Sequence, residues 1–312
     1  MAGKGGVGKT TVGATVAVAA ARAGASVLCV ELEGHSVLGR PFGVDTIDYT
    51  PTPLWRAPAP TTDGRRGSVR GRRLTPDEAL VEHLQTHGLD LLAGRVMTGG
   101  AIDVVSSAAP GIRDLVTLGK IAQLERNAQA DLLIVDAPAA GHALSFLQAP
   151  AGLLETGEGP IRDQAERVLE MFGDPDRCQV ALVTLPEETP VRETIETAFS
   201  LEDLVDIKLA PVIVNGVVPE IPGLAAARAA DDGARDADPR TIARRRAADH
   251  RLAVHRRERA AIEELARELP LPRIELPLLP TTRLGPDDLG RLADALTRPP
   301  TDRLDGGQGT ER

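Results

Sequence analysis

Nine residues at the amino end, Gly3-Lys4-Gly5-Gly6-Val7-Gly8-Lys9-Thr10-Thr11, constrain this chain more than any other stretch of it. They spell the complete phosphate-loop pattern GxxxxGK[ST], with an additional lysine at the second position. Gly3, Gly5, Gly6 and Gly8 let backbone N–H groups, that of Val7 included, close around a phosphate, and the helix that follows adds its positive end. In such a loop Lys9 reaches the β- and γ-phosphates, and the Thr10 hydroxyl, followed by Thr11, ligates Mg²⁺. Lys4 projects away from its own loop and is placed to reach a nucleotide held by a facing subunit. Only four of the 36 basic residues are lysines, and two of those four lie in this loop. A compact ammonium serves a γ-phosphate pocket as a point charge, which the planar fork of arginine does not.

The loop requires a strand before it and a helix after it, and the rest of the sequence supplies that alternation. Short β-branched runs predict strands over 26–32, 131–136, 179–184, 211–214 and 273–276. Helical patterns fall over 10–22, 190–204 and 239–268, and Thr75-Pro76-Asp77-Glu78 reads as a capping box that opens another helix. This predicts an α/β fold, a mostly parallel sheet flanked by helices, as one P-loop domain over residues 1–298. Residues 40–75, rich in Pro, Thr, Gly and Arg, read as an irregular insertion, a surface excursion or poor hairpin. Residues 151–175 read as a small helical region, 219–239 as a polar linker, and 299–312 as a disordered tail. Only Met1 and Ala2 precede Gly3. A central parallel strand omitted there would leave two rows of backbone groups unpaired, so the expectation is that an apolar strand belongs upstream of Gly3.

Composition narrows the partners. A net charge of −9 argues against nucleic acid as the main ligand, since a phosphate backbone rewards a basic surface. Two isolated cysteines, Cys29 and Cys178, give neither a disulfide framework nor a CxxC zinc clip, so zinc is not expected. With no secretion signal in view, the expected location is the cytoplasm.

A second motif ends a buried strand in an acid: Asp131-Leu-Leu-Ile-Val-Asp136, followed by a loop with Pro138, Gly141 and His142. An acid at the carboxyl end of a strand beside a phosphate loop suits Mg²⁺, through water. The run from Asp136 to Pro150, DAPAAGHALSFLQAP, resembles the second switch of the ArsA / guided-entry (tail-anchored targeting) ATPases, and GKGGVGKTT matches that family's loop. Pro186-Glu187 with Glu193-Thr194, Val214-Asn215 and Pro277-Leu278-Leu279 are similar to further motifs of the same family. The resemblance spans Gly3 to about Leu296.

What the resemblance implies is an ATP-hydrolysing, Mg²⁺-requiring, nucleotide-gated dimer that drives a transport, targeting or chaperone-like process. The dimer would be a homodimer or a heterodimer with a paralogue, acting on a membrane-protein or peptide client. By position Lys4, Lys9 and Asp136 would act in catalysis, Asn215 would read adenine, Pro277 and Leu278 would help bind the nucleotide, and Thr10 and Asp136 would serve the metal. The first switch departs from the family's DPAH, reading Glu31-Leu32-Glu33-Gly34-His35, so the water-placing role is expected of Glu33, with Glu31 as the alternative. Two other readings stay open: a non-catalytic ATP-binding partner of a paralogue, motivated by that departure, and a positioning ATPase of the ParA/MinD kind. His83 and His87, four apart on a helix, lack a third ligand nearby and carry no metal expectation.

Overall fold

A computed structural model describes residues 1–32, 37–86, 111–231 and 238–297. Seven strands form two sheets: β1 (Ser26–Leu32), β2 (Thr52–Arg56), β3 (Ser68–Leu74) and β4 (Leu132–Asp136) in the order β2-β3-β1-β4, and β5 (Val183–Thr184), β6 (Val212–Val217) and β7 (Arg273–Pro277) in chain order. Every pair is parallel except β2 with β3. The nine described helices are α1 (Lys9–Arg22), α2 (Pro76–Thr86), α3 (Ile112–Arg126), α4 (Ala140–Thr156), α5 (Pro160–Phe172), α6 (Glu188–Val205), α7 (Leu224–Ala229), α8 (Pro239–Glu268) and α9 (Pro286–Leu296). The expected α/β fold with a mostly parallel sheet between helices is what the chain adopts.

Small side chains decide how closely α1 can lie on the sheet. Its Ala14, Ala17, Val18 and Ala21 are buried with Val27 and Cys29 of β1, Ile134 of β4, and Leu289 and Ala293 of α9. The opposite face carries the larger aliphatic core, in which Leu28 and Val30 meet Leu118 and Ile121 of α3, Phe146 and Leu147 of α4, and Val168 and Phe172 of α5. Burial of a Leu or Phe side chain is worth roughly 1.5–3 kcal/mol, so this layer supplies most of the apolar drive in a chain with few aromatic residues. Val168 and Phe172 are therefore core, while Ile161 of the same helix lies at the surface. Among the described residues no helix is long and apolar enough to cross a membrane.

Two expectations are corrected. Of the two readings of the 40–75 region the hairpin holds, β2 pairing antiparallel with β3 across an irregularity at Pro53/Trp55, but it is no surface excursion: β3 lies parallel against β1 from Ser26↔Ser68 to Leu32↔Leu74, with Val69 and Leu74 buried. The reason is that β3 buries an arginine rather than an aliphatic residue. Arg72 is 5% exposed, donates to Glu82 at 3.0 Å and stacks 4.0 Å from the Tyr49 ring centroid, and Lys120 meets the same Glu82 at 2.5 Å. Residues 219–239 are likewise more than a linker, since α7 is tied to α8 by a two-pronged Arg228–Asp249 pair. On α8 itself Arg245 pairs with Asp231 and Arg259 with Glu275. Residues 299–312 lie outside the described residues.

Met1 and Ala2 join the two sheets. The Met1 ammonium donates to Val135 O at 2.7 Å and the Ala137 N–H donates to Met1 O at 3.2 Å. On the other side the Ala2 N–H donates to Ala181 O at 2.9 Å, and the Val183 N–H to Ala2 O at 2.8 Å. The strand expected over 179–184 is only partly laddered: Val180 bridges Leu209 and Leu182 bridges Ala2, but the continuous strand is Val183–Thr184.

Candidate functional site

The phosphate loop leaves this two-residue bridge and turns at once. Gly3 has φ +149°, and a Cβ there would stand 2.2 Å from Val183 O, so only glycine lets the backbone pass β5. Gly8 caps α1 with φ 90°, again a left-handed position, and delivers the free N–H groups of the first helical turn to the loop's concave side. The loop thus sits at the carboxyl ends of β1, β4, β5 and β6, where open parallel sheets place their ligands.

Thr10 and Asp136, 126 residues apart, are brought together: the Thr10 hydroxyl donates to Asp136 Oδ2 at 2.5 Å. The other oxygen, Asp136 Oδ1, is buried without a hydrogen-bond partner. Burial pushes the Asp136 carboxyl above the usual carboxylate range, against the opposing pull of the Thr10 hydroxyl, the Met1 ammonium and Lys9. Glu31 is the register partner of Asp136 on β1 and so faces the same side of the sheet. Its Oε1 accepts the N–H groups of Val37 at 2.7 Å and Leu38 at 3.1 Å, while its Oε2 is buried and unpartnered. A hydroxyl, a carboxylate with one orphaned oxygen and a second buried carboxylate beside it are the hard oxygen donors that a divalent cation takes.

Lys9 turns inward, its ammonium donating to Gly3 O at 3.1 Å and Lys4 O at 3.2 Å, with burial lowering its pKa and Asp136 opposing. Lys4 turns the opposite way, to Glu193 Oε1 of α6 at 2.7 Å, with both side chains about 40% exposed. Asn215, on β6, donates from Nδ2 to Val7 O at 2.9 Å, which puts it against the loop. Pro277 and Leu278 lie one strand further, at the end of β7, with the Leu278 N–H on Val217 O at 2.7 Å and its side chain 52% exposed. Glu33, His35, and the side chains of His83 and His87 lie outside the described residues; His142 is exposed at the start of α4.

Sequence reasoning passed over two arginines. An open cleft of about 440 Å³ at the start of α1 is lined by Thr10, Thr11, Val37, Arg40, Pro41, Arg283 and Leu284. Two guanidinium groups beside a helix N-terminus favour an anion. Neither could be singled out in a chain with so many arginines, because the convergence exists only in three dimensions.

The raised Asp136 pKa has a thermodynamic consequence. The unfolded chain gives up the carboxyl proton first, so native stability falls as pH rises from the ordinary carboxylate value to the raised native one, and the deficit persists at pH 7. Asp136→Asn is therefore expected to raise the melting temperature of the nucleotide-free protein at pH 7, by roughly 2–4 °C for each kcal/mol relieved. Below about pH 4 the two proteins should melt together. Thermal scans at both pH values check this, and a lower melting temperature for the variant at pH 7 contradicts it.

The sequence matches the family model for anion-transporting ATPases over residues 1–44 and 160–228. It is 32% identical over 225 residues to the ATPase BagA of Mycobacterium tuberculosis, covering 70% of this chain and 64% of that protein. A putative arsenical pump-driving ATPase of Halobacterium salinarum is 28% identical over 237 residues, covering 70% of this chain and 35% of the other. The Arabidopsis thaliana ATPase GET3C is 22% identical over 263 residues, covering 70% and 66%. The chain thus spans 64% of the length of the mycobacterial relative.

Proposed function

We propose that this chain, similar to the anion-transporting ATPase family model and to the mycobacterial ATPase BagA, is an ArsA-type P-loop ATPase that binds ATP with Mg²⁺ and hydrolyses the β–γ anhydride within a nucleotide-gated dimer. The observation that carries the proposal is the meeting of Thr10 with Asp136 at 2.5 Å, beside Lys9 and under the loop. Bound there, Mg²⁺ would neutralise developing phosphate charge; Thr10 would ligate it and Asp136 would hold its water shell through the orphaned Oδ1. Lys9 exchanges its bonds to two loop carbonyls for the β- and γ-phosphates. Asn215, against the loop on β6, reads adenine, with Pro277 and Leu278 forming the far side of the base pocket. Arg40 and Arg283 add positive charge at the cleft.

Lys4 acts on the nucleotide of a facing subunit. Its bond to Glu193 is an ion pair of largely solvated groups, worth about 0–1 kcal/mol, so it yields readily to a phosphate. The facing subunit is a second copy or a paralogue, and opening and closing of the pair does the work of transport, targeting or chaperoning in the cytoplasm, on a membrane-protein or peptide client. Glu33 places the attacking water. One observation favours the rival reading of a non-catalytic ATP-binding partner: Glu31, the described acid of the first switch, is committed to the amides of Val37 and Leu38.

Calorimetry tests the binding half. ATP is expected to bind at least tenfold more tightly with Mg²⁺ than with chelator present, and at least tenfold more tightly than GTP. Equal affinities for ATP and GTP would remove Asn215 from the base pocket, and binding indifferent to Mg²⁺ would remove the metal.

A further inference from the structure

Helix α8 buries one stripe of side chains, Glu258, Ala261, Ile262 and Leu265. The spacing i, i+3, i+4, i+7 is that of an amphipathic helix lying on a core, yet the first position holds a carboxylate where an aliphatic side chain would serve packing better. Glu258 is 8% exposed, and among the described residues its side chain makes one hydrogen bond and no ion pair. That bond comes from the Val218 N–H, at 3.1 Å. A buried carboxylate costs free energy unless it is well paired, so this one adds little to stability. What it holds is the end of β6.

The ladder between β6 and β7 is out of step there. From Val214↔Glu275 to Val217↔Pro277, three steps along β6 match two along β7, so the stretch through Asn215 and Gly216 carries one extra residue. A bulge re-aims side chains, and here Asn215 Nδ2 is turned onto Val7 O of the phosphate loop at 2.9 Å. Upstream, Val212 to Val214 are fixed by regular pairing with β7. Downstream, the chain is held by the Val218 N–H on Glu258, by the Leu278 N–H on Val217 O at 2.7 Å, and by Arg251 of α8 on Pro219 O at 2.6 Å. Arg259, beside Glu258, grips Glu275 of β7 with two bonds, at 3.1 and 2.6 Å. Residues 251–259 of α8 thus clamp both strands at the bulge.

We infer that Glu258, supported by Arg251, is a positioning residue for selection of the nucleotide base: through the Val218 amide it fixes the bulge that aims Asn215, and through Val217 it fixes the backbone of Leu278. The inference rests on the proposed base pocket of Asn215, Pro277 and Leu278, and adds the helix that shapes it. Neither Glu258 nor Arg251 touches the nucleotide itself.

The test compares wild type, Glu258→Gln and Glu258→Leu by calorimetry with Mg²⁺-ATP, Mg²⁺-GTP and Mg²⁺-tripolyphosphate, the last a ligand without a base. Both substitutions fill the space, but only the glutamine oxygen accepts the Val218 N–H. Glu258→Leu is expected to lower the preference for ATP over GTP by about fivefold or more, the scale of one hydrogen bond, with tripolyphosphate affinity within about twofold of wild type. Glu258→Gln should keep the preference within about twofold, because its amide oxygen replaces the lost acceptor. A preference that falls equally in both variants overturns the inference, and so does a parallel loss of affinity for all three ligands, the mark of a merely loosened fold. If Glu258→Leu does not fold, Arg251→Ala at the helix surface takes its place; it should lower the preference by about threefold with tripolyphosphate binding unchanged, and an unchanged preference overturns the inference. A wild type that binds tripolyphosphate but does not tell ATP from GTP brings down the base pocket and this inference with it, whereas a wild-type preference that survives Glu258→Leu overturns this inference alone.

Discussion

Lys9→Ala is expected to lower ATP affinity by two to three orders of magnitude while leaving the fold intact. The wild-type ammonium makes only two bonds to its own loop carbonyls, at 3.1 and 3.2 Å, and burial holds its pKa below the ordinary lysine value. A half-buried cation so placed gains most from an anion entering the loop. Charge-assisted bonds to phosphate are roughly twice as strong as neutral ones, and removing one partner of a desolvated charge pair typically costs about 3–5 kcal/mol. In the nucleotide-free protein the same substitution removes two modest bonds and a desolvation cost, so the melting temperature should change little. Calorimetry and a thermal scan on one preparation read both numbers. Undiminished ATP affinity in a folded Lys9→Ala protein contradicts the assignment of the loop.

Lys4→Ala should separate binding from turnover. Lys4 faces away from Lys9 and is held by Glu193 at a solvated surface, so its removal should leave ATP affinity within about threefold of wild type. If it supplies charge to the partner's transition state, hydrolysis should fall by about a hundredfold, the usual cost of losing one such donor. Mixing decides the geometry. Lys4→Ala subunits combined with Lys9→Ala subunits that retain Lys4 should recover part of the activity, because each dimer then holds one intact site served from across the interface. Mixed dimers that form, by mass spectrometry, and recover nothing would place Lys4 in its own site.

Much of the fold was legible because helix and strand signals here coincide with the core. The pattern of 239–268 gave α8 to the residue, since Asp238 caps it through its side chain and Pro239 occupies its first position. The capping pair at 75–78 was also legible, though the Thr75 hydroxyl both receives the Glu78 N–H and donates to the Glu78 carboxylate. What failed was β3. Ser68–Leu74 reads SVRGRRL, and its arginines signal a surface until Glu82, Tyr49 and Lys120 are known to surround Arg72. That cluster is assembled from three separate stretches, and no local pattern announces it.

The site shows the same division. Lys9, Thr10 and Asp136 were legible because phosphate and metal chemistry demand those groups at fixed places on a strand–loop–helix, and the structure brings them together. Glu31 was named only as an alternative to Glu33; its hold on Val37 and Leu38 is a long-range consequence of where β1 ends.

The central claim, that the loop and Asp136 together hydrolyse Mg²⁺-ATP, meets its most direct test in phosphate release. Purified wild-type chain and Lys9→Ala are compared at equal concentration with saturating Mg²⁺-ATP, each alone and each with a neighbouring paralogue if the genome supplies one. The account predicts steady release from the wild type and at least a hundredfold less from Lys9→Ala. Wild-type protein that binds ATP yet releases phosphate no faster than Lys9→Ala, in either setting, would contradict it and leave the chain a binding partner rather than an enzyme.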